Sequence, residues 1–310
     1  MDIVDNLLLG DKRAIARSIS IIDDEDPQSH DILKKIYKRT GNAITIGFTG
    51  PGGAGKSSLI GNLIPFFKRL GYKIAILAVD PTSPITGGAI LGDRVRMQST
   101  MSDEEIFMRS FGSRGALGGL SKSLRNAIRI LDAAGYDLIL VESVGAGQLE
   151  IEISKVVNLT MVIFSPNTGD SIQAVKAGLN EIGDIYIVNK SDLEGSGMLY
   201  FSLLELIGNT PRKPMIFKTS TKTAEGLEIL CKNVDNIVKS KEWLLKQKQK
   251  QEQILYDELK EMVLENIKQK TLKIFKTKNK EIDELLQSLL SKNKDPYSAS
   301  EELSLLIFSN

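Results

Sequence analysis

The chain has 310 residues, and its 40 basic and 39 acidic side chains leave a formal net charge of +1. This balance gives no basic surplus that would indicate a nucleic-acid or membrane-surface partner. The single cysteine, Cys231, and the single histidine, His30, exclude an internal disulfide and a Cys/His metal cluster. With no targeting signal and no apolar run of about 20 residues, we expect a soluble cytoplasmic protein.

The N-terminal residues, 1–40, predict an extension made of short amphipathic helices. An acidic, proline-containing break divides the segment into two parts. The apolar positions fall at near-helical spacing, at Ile15, Ile19, Ile22, Leu33 and Ile36.

The central residues, 41–238, alternate strand-like apolar runs with helical stretches. Several runs are apolar at successive positions, as expected for strands buried on both faces of a parallel sheet. The alternation predicts an α/β fold with a doubly wound, mostly parallel sheet. The predicted strands are AITIGFT, KIAILAV, EIFMRS, DLILVES, LTMVIFS, DIYIVNK and PMIFKTS.

The C-terminal residues, 239–310, contain mainly Lys, Glu, Gln and Leu and show no strand pattern. We expect a helical arm with one apolar stripe, which needs a partner surface. Periodicity does not decide whether the stripe packs on the parent domain or pairs with a second copy. The stripe consists of Leu255, Leu259, Met262, Val263 and Ile267.

A phosphate-binding loop follows the first strand. In GPGGAGKSS, Gly50, Gly55, Lys56 and Ser57 satisfy the pattern G-x-x-x-x-G-K-[ST], between an apolar strand and a helical pattern. Glycines let backbone N–H groups turn towards phosphate oxygens, and the following helix adds its N-terminal N–H groups. We expect Lys56 to bridge the β- and γ-phosphates and the Ser57 hydroxyl to bind Mg²⁺.

Two aspartates flank the loop segment VDPTSPITGGAILGDRVRM. Asp80 ends the second strand, and strand ends of an open α/β sheet face the ligand crevice. Asp93 follows the glycine-rich part of the segment. Carboxylates there can hold Mg²⁺ or its waters, so the segment between them is a candidate switch. The alternatives are a turn cap before Pro81 and a surface carboxylate at a helix start.

The fourth strand ends in Glu142, a Walker-B pattern with Glu in place of Asp, and continues as ESVGAGQ. In nucleotide switches the glycine three positions after the acid donates its N–H to the γ-phosphate, and here this glycine is Gly145. Gln148 is a candidate for orienting the attacking water. The usual glutamine directly follows the glycine, however, and Ala146 stands there. We therefore expect slow nucleotide hydrolysis, with a rate that a partner protein raises.

The sixth strand continues into NKSD, which contains Asn189, Lys190 and Asp192. A carboxylate accepts two hydrogen bonds from guanine N1–H and N2–H₂, whereas adenine has no such donor pair. Because an unmet buried polar group costs about 1–3 kcal/mol, Asp192 predicts a preference for GTP over ATP. Lys190 can lie along the base, and Asn189 can join neighbouring loops. We expect backbone N–H groups of the segment Ser220, Thr221 and Lys222 to reach guanine O6.

Together these motifs resemble one family. GFTGPGGAGKSSL, ILAVDPTSPITGGAILGDRVRM, ILVESVGAGQLE and IVNKSD look like GTPases of the MeaB/ArgK type, and the resemblance covers almost the whole chain. The resemblance implies a GTP-hydrolysing chaperone that gates adenosylcobalamin loading and protects a B12-dependent acyl-CoA mutase, chiefly methylmalonyl-CoA mutase. It also implies a homodimer that uses the C-terminal arm.

The resemblance assigns residues to four groups. The phosphate site comprises Gly50, Pro51, Gly52, Gly53, Ala54, Gly55, Lys56, Ser57 and Ser58. The guanine site comprises Asp192 and the segment from Ser220 to Lys222. The Mg²⁺ shell comprises Ser57, Asp80, Asp93 and Glu142. A third mobile loop, SPNTGDSIQAVKAG, carries Asp170, Gln173 and Lys176 and is expected to pass the nucleotide state to the mutase.

Three alternatives remain. Where many members have GTPGAGKST this chain has GPGGAGKSS, a departure that favours relatives acting on isobutyryl-CoA-type mutases. A kinase linked to amino-acid transport, a label attached to this family, conflicts with the guanine-selective NKSD. A nickel-insertion GTPase would carry Cys/His motifs, and the chain has one residue of each type.

Overall fold

A computed structural model describes residues 2–81, 105–113, 117–143, 148–166, 180–208, 214–277 and 279–308. At Asp80 and Gln148 it describes the backbone only. Five residues with predicted roles lie outside the described residues: Asp93, Gly145, Asp170, Gln173 and Lys176.

The core of the fold is a sheet of seven parallel strands in the order β3-β2-β4-β1-β5-β6-β7. The predicted strands are all present, so the doubly wound parallel sheet is confirmed. β1 lies in the middle, between β4 and β5. The strands are β1 Ile44–Thr49, β2 Ile74–Pro81, β3 Phe107–Ser113, β4 Leu138–Ser143, β5 Leu159–Phe164, β6 Ile185–Val188 and β7 Met215–Lys218.

Helices precede, connect and follow the strands. Tyr37–Arg39 forms a 3₁₀ turn, and Asn180–Ile182 forms a single helical turn. The longer helices are α1 Ile3–Leu8, α2 Lys12–Asp23, α3 Gln28–Ile36, α4 Lys56–Arg69, α5 Leu117–Ala133, α6 Gln148–Val156, α7 Ser196–Gly208, α8 Leu227–Lys239, α9 Lys241–Thr277, α10 Asn279–Leu290 and α11 Pro296–Phe308.

Hydrophobic cores cover both faces of the sheet. β4 and β5 are buried at every position, which explains their unbroken apolar sequences. On one face α5 and α6 pack with the three N-terminal helices, and the predicted residues Ile15, Ile19 and Ile22 are buried in that core. On the other face α4 and α8 pack, and α8 contributes Cys231. A smaller cluster lies under α7.

Contacts divide the chain into two units, Met1–Leu244 and Leu245–Asn310. The three-part domain division expected from the sequence stays a prediction. Helix α9 is the longest described helix, about 55 Å at 1.5 Å per residue, and none of its residues is buried. Leu259 of the predicted stripe is 63% exposed. Among the described residues, no helix combines the length and apolarity needed to cross a membrane.

Candidate functional site

The phosphate loop lies where β1 passes into α4, at the carboxyl edge of the sheet. Two of its glycines are required by their surroundings. Gly50 has φ +135°, and a Cβ there would lie 2.1 Å from the Ile163 carbonyl oxygen. Gly55 has φ +90°, and a Cβ there would lie 2.6 Å from Asn189 Nδ2. The loop therefore turns tightly between β5 and the NKSD segment, and side chains would not fit at these positions.

Lys56, at the start of α4, is held against this loop. Its Nζ donates to the carbonyl oxygens of Gly50 at 2.7 Å and Pro51 at 3.2 Å, and the residue is only 7% exposed. An ammonium group among the N–H groups of a phosphate loop supplies a concentrated positive charge for an anionic ligand. The contact fits the expected phosphate-binding role of Lys56.

Two oxygen-bearing side chains meet beside the loop. The Ser57 hydroxyl donates to Glu142 Oε1 at 2.6 Å, and both residues are buried. Glu142 is brought here because β4 pairs with β1 and β2, opposite Phe48 and Ala78. Asp80 lies at the carboxyl end of β2 at the same edge, paired with Gly112 of β3, and the structure gives only its backbone. A hydroxyl and a carboxylate are oxygen donors of the kind that Mg²⁺ prefers.

Asn189 joins the phosphate and NKSD segments. It is fully buried, and its Nδ2 donates to the Ala54 carbonyl oxygen at 3.0 Å. The Thr219 hydroxyl donates to its Oδ1 at 3.2 Å. Nearby, Lys190 Nζ donates to the Gly53 carbonyl oxygen at 2.8 Å. Asn189 therefore contacts both the phosphate loop and Thr219, which directly follows β7.

Asp192 lies on the exposed rim of the same edge. The Ser220 hydroxyl donates to its Oδ1 at 2.6 Å, and this hydrogen bond lowers the pKa of Asp192, with further lowering from the charges of Lys222 and Lys190. The side chain is therefore an ionised acceptor near neutral pH. An ionised, oriented carboxylate matches the paired N–H donors of guanine.

The segment after β7 is shaped by a tight turn. Ser220 N–H donates to the Glu225 carbonyl oxygen at 3.0 Å, and Thr223 N–H donates to the Ser220 hydroxyl at 3.2 Å. Gly226 has φ +74°, and a Cβ there would lie 2.1 Å from the Lys218 carbonyl oxygen. These contacts fix the Ser220 side chain beside Asp192. Thr221 and Lys222 belong to the same turn.

Two buried hydroxyl groups at this edge are not evident from the sequence. Thr219 directly precedes the predicted segment and contacts Asn189. Ser143 follows Glu142, and its hydroxyl donates to Thr49 Oγ1 at 3.3 Å, which joins the ends of β4 and β1. In the sequence, each is only a hydroxyl residue next to a motif at the end of a strand. Such residues are too common for the sequence to indicate that either one belongs to the site.

The two unique residues take no part in a metal site that the structure describes. Within the described ranges, no group of three or more His, Cys, Asp or Glu side chains is arranged to hold a metal ion. Cys231 is buried in the core under α8, and burial raises the pKa of its thiol to about 12. It is therefore an inert structural thiol at neutral pH.

This chain is similar to known proteins over nearly its whole length. The family model described as methylmalonyl-CoA mutase-associated GTPase MeaB matches residues 15–276. A Pyrococcus horikoshii protein with a provisional GTPase name is 40% identical, over 97% of this chain and 96% of its own length. A Caenorhabditis briggsae protein named methylmalonic aciduria type A homolog, mitochondrial, is 29% identical, over 89% of this chain and 74% of its own.

A solved structure titled LAO/AO transport system kinase has a similar fold. Its TM-score is 0.68, it is 22% identical in sequence, and the match covers 98% of this chain and 96% of that one. At this identity the likeness shows the fold alone. The phosphate loop, the guanine-type motif and the family match agree with one another, and we conclude that the chain belongs to the MeaB family of P-loop GTPases, which hydrolyse a bound guanine nucleotide.

Proposed function

We propose that this GTPase is a chaperone for an adenosylcobalamin-dependent acyl-CoA mutase, most simply methylmalonyl-CoA mutase. In this role it gates the loading of the mutase cofactor and protects the enzyme. Support comes from the description of the family model, which names a mutase-associated GTPase, and from the relative named after methylmalonic aciduria. GTP binding and hydrolysis then drive a conformational change, and no chemical product is made for release to metabolism.

The observation that carries the proposal is the direct connection between the two halves of the nucleotide site. Asn189 reaches from the guanine-type motif to the Ala54 carbonyl of the phosphate loop, while Lys190 reaches Gly53. A base bound at Asp192 and phosphates bound at Lys56 would therefore act on one connected edge of the sheet. Such a site distinguishes nucleotide states through differential contacts, as a molecular switch requires.

Mg²⁺ fits the donor set beside the phosphate loop. The Ser57 hydroxyl and the Glu142 carboxylate are buried and 2.6 Å apart, and we propose that they hold the ion with Asp80 and Asp93. When bound, the ion neutralises the charge of the β- and γ-phosphate oxygens. Lys56 adds a second positive charge at the loop.

Hydrolysis requires a water molecule in line with the γ-phosphate. We assign the γ-phosphate contact to the N–H of Gly145 and the orientation of the water to Gln148, the first residue of α6. Asp170, Gln173 and Lys176 are proposed to report the nucleotide state to the mutase. The spacing of Gln148 from Gly145 is consistent with slow hydrolysis that the partner accelerates.

The partner can be tested by affinity capture from an extract of the native cell. The tagged protein is loaded with a non-hydrolysable GTP analogue, with GDP or with no nucleotide, and captured proteins are identified by mass spectrometry. We expect a B12-dependent mutase in the GTP-analogue sample. Absence of any such mutase, when immunoblotting shows that it is expressed, would contradict the chaperone role.

The altered phosphate loop favours one variant of this proposal. The sequence GPGGAGKSS differs from the loop of many family members and points to an isobutyryl-CoA-type mutase. The identity of the captured mutase distinguishes the two partners. A transport-linked kinase would require ATP, which Asp192 disfavours, and competition between GTP and ATP for the purified protein tests that alternative.

We propose that the protein is a homodimer. The apolar stripe on α9 includes Leu259 and Met262, which are exposed within the single chain, and a second copy would cover such a surface. Light scattering coupled to size-exclusion chromatography measures the mass in solution. A monomer at micromolar concentration would contradict this part of the proposal.

A further inference from the structure

Helix α6 begins five positions after Ser143, the last residue of β4, so Gln148 is close in the chain to the end of that strand. The end of β4 carries Glu142, which contacts Ser57, and α6 begins at Gln148. A displacement of the N-terminal end of α6 would therefore move Gln148 relative to Glu142 and Ser57. The contacts of α6 with the rest of the fold decide whether such a displacement occurs.

The C-terminal end of α6 is pinned to the start of β1. Asn158, just beyond the helix, accepts from the Thr45 N–H and the Thr45 hydroxyl through Oδ1, both at 2.8 Å. Its own N–H contacts Thr45 Oγ1 at 2.7 Å and the Thr45 carbonyl oxygen at 3.1 Å. These hydrogen bonds fix the C-terminal end of α6 to β1. The position of its N-terminal end depends on other contacts of the helix.

The body of α6 lies unusually close to the sheet. Gly47 of β1 lies beneath it, and a Cβ at that position would come within 3.0 Å of Ile153 Cγ2 and of Val157 Cγ2. Both of these side chains are fully buried. The close approach fixes the height of the helix above β1, and a polar contact with a neighbouring helix adds a further restraint.

That restraint comes from α5. The Ser121 hydroxyl donates to Glu152 Oε2, and Lys155 Nζ donates to Glu152 Oε1 at 2.8 Å. Ser121 is buried, and the Glu152 side chain is 15% exposed. Burial raises the pKa of Glu152, but the hydrogen bonds from Lys155 and Ser121 and the charges of Lys155 and Arg125 outweigh it and lower the pKa. The carboxylate is therefore ionised near neutral pH.

We propose that Ser121 and Glu152 are positioning residues for GTP hydrolysis: their hydrogen bond fixes the N-terminal end of α6, including Gln148, relative to Glu142 and Ser57. Glu152 lies about one helical turn after Gln148, so a restraint at Glu152 acts on the first turn of the helix. The inference rests on the GTPase activity and on the water-orienting role proposed for Gln148, and it is independent of the mutase partner.

The test uses Ser121→Ala in the full-length protein. Alanine is a good helix former, so α5 is expected to remain folded. Single-turnover hydrolysis of pre-bound GTP should slow by about tenfold, because small displacements of positioned groups have effects of this size. Equilibrium affinity for GTP and GDP should stay within about twofold of the parent value, since the nucleotide contacts are unchanged. Rates are expressed per nucleotide-binding site, which removes any effect of inactive protein.

Three further variants distinguish positioning from general stability. Ser121→Thr keeps a hydroxyl and should restore hydrolysis, whereas Glu152→Ala should reproduce the slow rate. Lys155→Gln removes the exposed ammonium group that contacts Glu152 Oε1. This variant should hydrolyse GTP at the rate of the parent protein, because surface ion pairs contribute little to stability. Amide hydrogen exchange should become faster in the first turn of α6 in Ser121→Ala.

An unchanged single-turnover rate in Ser121→Ala would overturn the proposal. A parallel loss of nucleotide affinity would also overturn it, since that would show a disturbed binding site. Failure of Ser121→Thr to restore the rate would indicate that the hydroxyl has no specific role, with the same consequence.

Discussion

Ser57 and Glu142 are joined by a 2.6 Å hydrogen bond although 85 residues separate them in the chain. The contact unites the end of the phosphate loop with the end of β4, and both residues are buried. It exists because β1 and β4 are paired neighbours in a parallel sheet, whose carboxyl ends lie at one edge.

Replacing Glu142 with glutamine should raise the Mg²⁺ concentration that half-maximal GTP hydrolysis requires. The amide keeps the shape and the acceptor for Ser57 but removes the negative charge. Since altering a group of a metal shell typically lowers metal affinity by about 10- to 100-fold, we expect a shift of roughly that size. A Mg²⁺ titration of single-turnover hydrolysis measures it. Ser143→Ala, next to the site, is the matched control, and an unchanged titration in Glu142→Gln would exclude Glu142 from the Mg²⁺ shell.

Replacing Asp192 with asparagine should change the base preference from guanine to xanthine. The amide donates a hydrogen bond to the 2-oxo group of xanthine, whereas its N–H₂ opposes the N–H donors of guanine. We expect GTP affinity to fall by about 10²-fold or more, since a site left with unpaired polar groups discriminates strongly. Competition binding of GTP, XTP and ATP measures the change, with Glu194→Gln as the control. Retained guanine preference would contradict the assignment.

The low pKa of Asp192 predicts how this preference depends on pH. The hydrogen bond from Ser220 holds the pKa of Asp192 in the folded protein below the usual value for an aspartate. The carboxylate is therefore still ionised when the pH has fallen to that usual value. The preference for GTP over ATP should therefore be constant between pH 5 and pH 8, and any loss should begin only in more acidic solution. Competition titrations at several pH values test this, and a midpoint within the neutral range would contradict it.

Gly55→Ala should destabilise the fold more than Gly52→Ala. At Gly55 the new Cβ would lie 2.6 Å from Asn189 Nδ2 with φ at +90°, whereas at Gly52 no heavy atom of the described residues lies within 4 Å of a new Cβ. We expect a loss of about 1–3 kcal/mol in the free energy of unfolding for Gly55→Ala and a change below about 0.5 kcal/mol for Gly52→Ala. Urea denaturation measures both. Equal losses would show that the Asn189 contact does not restrict this position.

Cys231 should react with thiol reagents only when the protein unfolds. Its pKa is raised to about 12 by burial, so the thiolate is almost absent in the folded protein at pH 8. In the unfolded chain the thiol ionises near pH 9. The free energy of unfolding should therefore fall as the pH rises from about 9 towards about 12, and this group contributes up to about 1.4 kcal/mol per pH unit. Denaturation of the parent and of Cys231→Ala at several pH values isolates this contribution, and rapid native labelling would contradict it.

Much of this architecture follows from local patterns in the chain. Unbroken apolar runs such as β4 and β5 predict strands covered on both faces, and their alternation with helices predicts parallel pairing. The phosphate loop is recognisable because the glycines, the lysine and the serine are contiguous and stand between a strand and a helix. Hydrogen-bonding chemistry likewise predicts from the sequence alone that Asp192 binds guanine.

The contacts that assemble the site are decided by strand order, which local patterns do not contain. Thr219 meets Asn189 because β7 lies beside β6, and Asn189 reaches Ala54 across β5 to the loop after β1. Ser121 finds Glu152 only because α5 and α6 lie side by side on one face of the sheet. Hydrophobic periodicity specifies which face of an element is buried, but it does not specify which neighbour covers that face. Pairings between side chains distant in the chain therefore appear only in the folded structure.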